Sequence, residues 1–297
     1  MSSVTVLALI EQMAERLEAA GLSFSDGFGH GTTNAFDEAA WLVMWKLGLP
    51  LDDLDSVENK PVAPERQAQV AMLFDERIKT RKPAAYLTNE AWLMGVPFYV
   101  DERVIIPRSF IAELLVDASI DPWLGEHTRR VLDLCTGNGS LAVLAAMTYP
   151  DVTVDAADIS TDALAVARIN VDKHQLADRI TLIESDGLAA CRGGYDLILC
   201  NPPYVNAASM AALPAEFRAE PALALAGNMH GGSDGMDFIR SLFLNAAAQM
   251  NENAVLVLEI GNERENFERA FPHLEPLWFE TSAGSDQVML ITREQLV

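Results

Sequence analysis

Basic residues are scarce in this chain, which has 21 lysines and arginines against 43 aspartates and glutamates and a formal net charge of -22. A protein that binds duplex nucleic acid needs cationic groups to replace the counterions of the phosphates. The charge balance therefore argues against direct, sequence-specific nucleic-acid binding. It is compatible with a basic protein partner, and also with an acidic surface that only keeps the chain soluble.

Cysteines and long apolar runs are scarce as well. The three cysteines, Cys135, Cys191 and Cys200, have no CxxC spacing, which indicates reduced thiols and no metal site. No apolar run approaches the roughly 20 residues needed to span a bilayer. Residues 1–21 carry acids within a helical apolar pattern and no basic leader, which predicts a helix and not a signal peptide. We expect a cytoplasmic protein without a membrane partner.

Helical periodicity dominates the first 80 residues. Apolar residues recur at helical spacing over 4–20 and 33–47, and each segment ends at a glycine. A third helix is expected to begin near Pro64 and to end before the sequence RKP at 81–83. Residues 1–84 are therefore predicted to form a helical domain. His30 lies between two glycines, and we interpret it as a local hydrogen-bonding residue at a helix start.

The rest of the chain changes character twice. Residues 85–108 are rich in aromatic and β-branched residues and are interrupted by a glycine, which predicts a β-hairpin linker. Over 109–297 short apolar strands alternate with helices, which is typical of an α/β domain with a parallel sheet covered on both faces. The sequences LWFETS and QVMLITR near the end predict an antiparallel hairpin at the edge of that sheet.

Ligands of such sheets bind beyond the carboxyl ends of the strands. The first strand ends in DLCTGNGS, where Gly137 and Gly139 let the backbone pass close to a ligand. The second ends at Asp158, whose carboxylate can accept from both hydroxyls of a ribose. The third ends at Glu184-Ser-Asp186, where a carboxylate can accept from the amine of adenine. Each feature alone is more often structural, but together these strand ends fit one nucleoside ligand.

The fourth strand ends in Asn201-Pro-Pro-Tyr204. Two consecutive prolines end the strand and stiffen the turn, because they donate no backbone N–H and have a fixed φ. Asn201 and Tyr204 are then held at the strand end, one with an amide and the other with an aromatic ring and a hydroxyl. This combination predicts a small rigid site beside the nucleoside.

With the motifs DLCTGNG and NPPY, the chain resembles the Rossmann-like S-adenosylmethionine-dependent methyltransferases that modify amide or exocyclic amine nitrogens. The segments RKPAAYLTNEAWLMGVPFYVDERVIIPRS and EFRAEPALAL are similar to those of the protein-glutamine N(5)-methyltransferases, so the resemblance covers nearly the whole chain. Within that family, TNEAW and FPHLEPLWFE are more similar to the members that act on ribosomal protein L3 than to those that act on release factors.

The resemblance implies S-adenosylmethionine as the cofactor and a glutamine of a basic ribosomal protein, L3, as the substrate, modified before or during ribosome assembly. Residues 1–84 would recognise that protein. The side-chain oxygen of Asn201 and the carbonyl of Pro202 would accept the two amide protons of the glutamine, and Tyr204 would pack against the amide. The catalytic set it implies is Asn201, Pro202, Pro203 and Tyr204; the cofactor-binding set is Asp133, Thr136, Gly137, Gly139, Asp158, Ile159, Asp186, Gly187 and Asn201.

Other functions remain open from the residues alone. A release factor, or an adenine or cytosine in nucleic acid, could accept the methyl group at a site of the same kind. A protein that binds an adenosyl ligand without catalysis is a third possibility. An NAD-dependent dehydrogenase would explain Gly137, Gly139 and Asp158 but not NPPY.

Overall fold

The computed structural model describes residues 4–22 and 31–297, so the predicted role of His30 lies outside the described residues. The chain divides into two units. The first comprises Met1–Ala91 and Leu213–Ala219, and the second comprises Trp92–Ala212 and Glu220–Val297. Within the described ranges, no helix is both long and apolar enough to cross a membrane.

The first unit is built from helices that bury their apolar faces together. They are α1 (Val6–Ala19), α2 (Ala35–Leu47), α3 (Pro64–Thr80) and the short α4 (Ala84–Thr88). Side-chain caps begin the first two, since Thr5 accepts from the N–H of Ala8 and Asn34 from that of Asp37. The second ends at Gly48 with φ of 68°, a conformation that favours glycine. The three predicted helices are confirmed; α4 was not predicted.

A buried ion cluster ties Leu213–Ala219 into this unit. Arg77 of α3 is fully buried, and its Nε donates to Glu38 over 2.8 Å. Glu216, also fully buried, receives the Nε of Arg81 at 2.7 Å and a longer contact of 3.4 Å from Arg77. Because breaking a buried ion pair leaves an uncompensated charge, this arrangement strongly favours one position for the segment.

The β-hairpin after α4 is shorter than predicted. Strands β1 (Ala91–Leu93) and β2 (Val96–Phe98) are joined by Met94 and Gly95, which both have positive φ, as in the tight type I′ turn. The prediction of hairpin structure over the rest of 85–108 is wrong, because residues 84–88 are helical and 99–108 contain no strand. The β-branched residues of 99–108, such as Ile106, are buried in the core without pairing in a sheet.

A seven-stranded sheet forms the centre of the second unit, in the order β5-β4-β3-β6-β7-β9-β8. Its strands are β3 (Arg130–Leu134), β4 (Thr153–Asp158), β5 (Ile180–Glu184), β6 (Tyr195–Cys200), β7 (Met250–Glu259), β8 (Leu277–Thr281) and β9 (Gly284–Thr292). Neighbouring strands from β5 to β7 are parallel, and β9 pairs antiparallel with both β7 and β8. The predicted parallel sheet and its closing antiparallel hairpin are confirmed.

Helices accompany the sheet in the same unit. They are α5 (Ile111–Val116), α6 (Ser140–Thr148), α7 (Thr161–Lys173), α8 (Ala207–Ala211), α9 (Asp237–Gln249) and α10 (Arg264–Ala270). Two apolar clusters form the core, one containing α5 and α6 residues and the other α9 and α10 residues, so both faces of the sheet are buried. Since β4 and β6 flank β3 on opposite sides, the strand order reverses at β3 and β6, where such sheets bind ligands.

Candidate functional site

A cleft of about 990 Å³, counting its open mouth, lies at the carboxyl ends of β3 to β6 in the second unit. Eight predicted site residues line it: Thr136, Gly137, Asp158, Ile159, Asp186, Gly187, Asn201 and Pro203. The structure therefore brings residues from four separate strand ends to one cavity. Asp133, Gly139, Pro202 and Tyr204 are not among the lining residues.

Asp133, in β3, fixes the loop that follows this strand. Its carboxylate accepts from the hydroxyl of Thr136 and, at 2.9 Å, from the N–H of Ala142 in α6. Gly139 has φ of 80°, and a Cβ there would lie 3.2 Å from the Cβ of Ala167. These residues hold the loop against α6 and α7, while Gly137 faces the cleft.

The same loop contains two buried polar atoms that have no hydrogen-bond partner in the described structure, Oδ1 of Asp133 and Nδ2 of Asn138. Burial raises the pKa of Asp133 to about 7, although the hydrogen bonds from Thr136 and Ala142 lower it. Unsatisfied buried groups are costly unless a ligand or water completes them. Of the two residues only Asn138 lines the cleft, so a bound ligand can accept from its Nδ2.

Asp158 lies at the end of β4 and organises the adjacent backbone. One carboxylate oxygen accepts from the N–H of Gly137 at 2.9 Å, and the other accepts from the N–H of Ser160 at 2.9 Å. Burial raises the pKa of this group, and the backbone hydrogen bonds lower it. Each oxygen keeps a further lone pair, so the carboxylate can still accept from ligand hydroxyls.

Two exposed side chains continue the cleft beyond Asp158. Ile159 is 42 % exposed, which is high for isoleucine in a cleft and provides an apolar surface for a flat ring. Asp186, after β5, is exposed, and its carboxylate makes no hydrogen bond to any side chain or backbone group described. A ribose at Asp158 and a base between Ile159 and Asp186 would match the chemistry of these groups.

The turn after β6 presents Asn201 to the cleft. Asn201 and Pro203 are lining residues, whereas Pro202 is buried beside them. The Asn201 amide has no hydrogen-bond partner among residues 4–22 and 31–297, although amides of this kind usually find one when held in a turn. Its oxygen and nitrogen are therefore available to a bound molecule.

Tyr204 is half-buried and is not among the residues that line the cleft. A Cβ on Gly261, which follows β7, would lie 2.6 Å from the Tyr204 ring, so that glycine provides the space for it. Burial and the neighbouring carboxylate of Glu259 raise the pKa of the phenol. Glu259 also accepts from the hydroxyl of Ser109 at 2.6 Å and the N–H of Phe110 at 2.9 Å, and burial raises its pKa to about 7.

A glycine-rich segment, GNMHGGSDG at 227–235, packs against the turn and was not predicted to be functional. The N–H of Gly227 donates to the carbonyl of Val205 at 3.1 Å, and that of Gly235 donates to the side chain of Asn228 at 2.8 Å. A Cβ on Gly235 would lie 2.0 Å from the carbonyl oxygen of Tyr204. The four glycines in this segment could have predicted that its backbone approaches another part of the chain closely, because glycine has no side chain to prevent it.

The ion pair between Arg108 and Glu220, beside the cleft, was not predicted from the sequence either. Arg108 makes two contacts with Glu220, of 2.6 and 2.7 Å, and Glu220 accepts from the N–H of Ile106 at 2.9 Å. The residues after Glu220 contribute an apolar wall of Pro221, Leu223, Ala224 and Met229. The motif EPALAL thus combines a buried acid that anchors an arginine with an apolar lining.

Known proteins similar to this chain agree with the geometry. The family model described as "Methyltransferase small domain" matches residues 112–229. The catalytic domain of hMettl16 in complex with MAT2A 3'UTR hairpin 6 has a TM-score of 0.51 at 14 % identity, covering 77 % of this chain and 81 % of that one. At that identity the likeness concerns the fold alone, and it confirms the predicted methyltransferase-type α/β architecture.

Three curated relatives share much more of the sequence. Proteins named "Ribosomal protein uL3 glutamine methyltransferase" from Bordetella pertussis and Burkholderia pseudomallei are 50 % and 48 % identical, over 98 % of this chain and 96 % and 95 % of theirs. One of the same name from Neisseria meningitidis serogroup B is 46 % identical over 99 % of this chain and 94 % of its own. The predicted resemblance is confirmed, and the chain belongs to the family of ribosomal protein uL3 glutamine methyltransferases.

Proposed function

We propose that this protein transfers a methyl group from S-adenosylmethionine to the side-chain amide nitrogen of a glutamine in ribosomal protein uL3, in the cytoplasm and before or during ribosome assembly. The observation that carries the proposal is the unpartnered amide of Asn201, held by two prolines in a cleft that also contains Asp158 and Asp186. The names of the full-length relatives supply the substrate.

The cofactor would be held by the strand ends. Asp158 would accept from the ribose hydroxyls, Ile159 would contact the adenine, and Asp186 would accept from its amine. The loop at Thr136 and Gly137, fixed by Asp133, would lie along the rest of the molecule. When bound, S-adenosylmethionine supplies a methyl group on a positively charged sulfur.

The substrate amide would be held by acceptors alone. An amide nitrogen is a poor nucleophile because its lone pair is shared with the carbonyl, so its orientation toward the methyl group matters most. The Asn201 oxygen and the Pro202 carbonyl would accept its two protons, which favours the positive charge that develops on nitrogen. The rigid turn would fix both acceptors in advance, and Tyr204 would pack against the substrate amide. The protonated product is acidic and can lose its proton to water, so no strong base is required.

The experiment that tests this function offers methyl-labelled S-adenosylmethionine with free uL3, assembled large subunits, a release factor and nucleic acid in parallel. Mass spectrometry of the labelled product locates the modified residue. We expect label on one glutamine of uL3, and more on the free protein than on assembled subunits. Labelling confined to the release factor or to nucleic acid would overturn the assignment of the substrate.

Replacement of Asp158 by asparagine should weaken S-adenosylmethionine binding by about 1 to 3 kcal/mol, because charge-assisted hydrogen bonds to the ribose are lost. Asparagine keeps only one oxygen acceptor, so it loses the hydrogen bond from the N–H of either Gly137 or Ser160, and the thermal midpoint should fall as well. Titration calorimetry measures the affinity, and Asp172→Asn, an exposed acid at the far end of α7, is the matched control. Unchanged affinity would remove Asp158 from the cofactor site, and binding of NAD instead would favour a dehydrogenase.

We also propose that the helical unit recognises uL3. Its helix α1 carries Glu11, Glu15 and Glu18 on its exposed face, and the whole chain has a net charge of -22, which suits a basic substrate. The association rate should therefore fall steeply between low and physiological salt, while turnover at saturating substrate should not. The three Glu→Gln changes together should flatten the salt dependence. A flat profile for the original protein would mean that the acids serve only solubility.

A further inference from the structure

Arg103 is a cation of the cleft that neither the proposed chemistry nor the predicted site uses. It lines the cavity with 37 % of its side chain exposed. Asp101 grips it through two hydrogen bonds, from Nε to Oδ1 at 2.9 Å and from Nη2 to Oδ2 at 2.6 Å. Asp101 is itself fixed by the hydroxyl of Tyr99 at 2.9 Å and by the N–H of Arg103 at 3.1 Å. The guanidinium group is therefore held rigidly.

One edge of that guanidinium group remains available. Across the described part of the chain, Nη1 of Arg103 has no hydrogen-bond partner. The hydrogen bonds from Arg103 lower the pKa of Asp101, so the pair stays charged at neutral pH. The other cation that lines the cleft, Arg108, is engaged by both oxygens of Glu220. Arg103 is thus the arginine better placed to meet an added anion.

The layout of the walls indicates which anion this is. The ends of β4 and β5 suit the adenosine of the methyl donor, and the end of β6 suits the methyl group. The amino-acid part of the donor would then lie along the loop at Thr136 and Gly137, and its carboxylate would reach one of the two remaining walls. The wall at 221–229 is apolar, whereas the wall at 103–109 contains both arginines. A carboxylate pairs favourably with a guanidinium group whose hydrogen-bond donors are fixed in direction.

We propose that Arg103 binds the carboxylate of the methyl donor's amino-acid end and that Asp101 is its positioning residue. The inference rests on the proposed function, since it takes S-adenosylmethionine as the ligand. It assigns Arg103 to ground-state binding of the donor and gives it no part in methyl transfer itself. The expected effect is therefore on donor affinity, in the absence of any protein substrate.

The test compares two ligands that differ only in this carboxylate. Titration calorimetry gives the dissociation constants of S-adenosylmethionine and of decarboxylated S-adenosylmethionine for the original protein and for Arg103→Met. We expect the variant to bind the first about 10- to 100-fold more weakly and the second with nearly unchanged affinity. Arg103→Lys should recover part of the loss, and Asp101→Asn should lose part of the affinity for the carboxylated ligand only. Arg168→Met, an exposed arginine of α7, should change neither.

The other outcomes overturn the inference in distinguishable ways. Equal weakening of both ligands would make Arg103 a support of the cleft wall and not a carboxylate ligand. Unchanged donor affinity with a raised KM for uL3 would place Arg103 at the protein substrate instead. If the original protein bound neither ligand, the proposed function itself would fail; if it bound both and Arg103→Met bound both equally well, only this inference would.

Discussion

Asn201→Ala is expected to reduce methyl transfer on the order of 10²-fold or more, the size of effect seen when one preorganised stabilising group is lost. The side chain has no structural hydrogen bond among the described residues, so its loss should leave the fold nearly intact. It would, however, remove one of two acceptors for the substrate amide. The decrease should appear mainly in turnover, measured with labelled donor and uL3 at saturating concentrations.

Two further variants make this result specific. Asn245→Ala removes an exposed asparagine amide from α9, far along the chain from the motif, and should leave turnover unchanged. Asn201→Asp keeps an acceptor but adds charge near the sulfonium group, so it can strengthen donor binding; a large loss of turnover there would show that orientation matters as well as polarity. Normal methylation by well-folded Asn201→Ala protein would reduce Asn201 to a strand-end residue.

The cleft could be predicted from sequence because parallel strands gather their carboxyl ends at one edge of a sheet. Once the strands before Thr136, Asp158, Asp186 and Asn201 are recognised, their proximity follows from topology and needs no detail of side-chain packing. The structure places all four along one cavity. The site could therefore be predicted from local strand patterns, because parallel strands in one sheet bring their carboxyl ends together.

The missed features depend on contacts between segments distant in sequence. Glu220 meets Arg108 across 112 residues, and Glu259 meets Ser109 across 150, and neither pairing leaves a periodic signal. The β-branched residues at 99–108 indicated strands, but tertiary burial overrode that local preference. Tyr204 is expected at the substrate because of its motif, but its contact with Gly261, which follows β7, could not be predicted because the two residues are 57 positions apart.

The glycine-rich segment yields the second large expected effect. Gly235→Ala should lower turnover on the order of 10²-fold, because its Cβ would lie 2.0 Å from the Tyr204 carbonyl oxygen and the turn that carries Asn201 must move. A displacement of about 1 Å at a positioning group is enough for a loss of that size. Donor affinity should change much less than turnover, since Asp158 and Ile159 belong to a different strand end. Parallel calorimetry and labelled-methyl assays measure both quantities.

Gly231→Ala separates this steric effect from backbone strain. Gly231 has φ of 87° and Gly235 has φ of 81°, so alanine is disfavoured at both by a similar amount, roughly 1 kcal/mol. A Cβ at Gly231, however, would have no neighbour within 4 Å. Both variants should therefore lose similar stability from strain, while only Gly235→Ala should lose most of its turnover. Equal turnover in the two variants would show that the turn accommodates the added methyl group, and that 227–235 does not fix the position of Asn201.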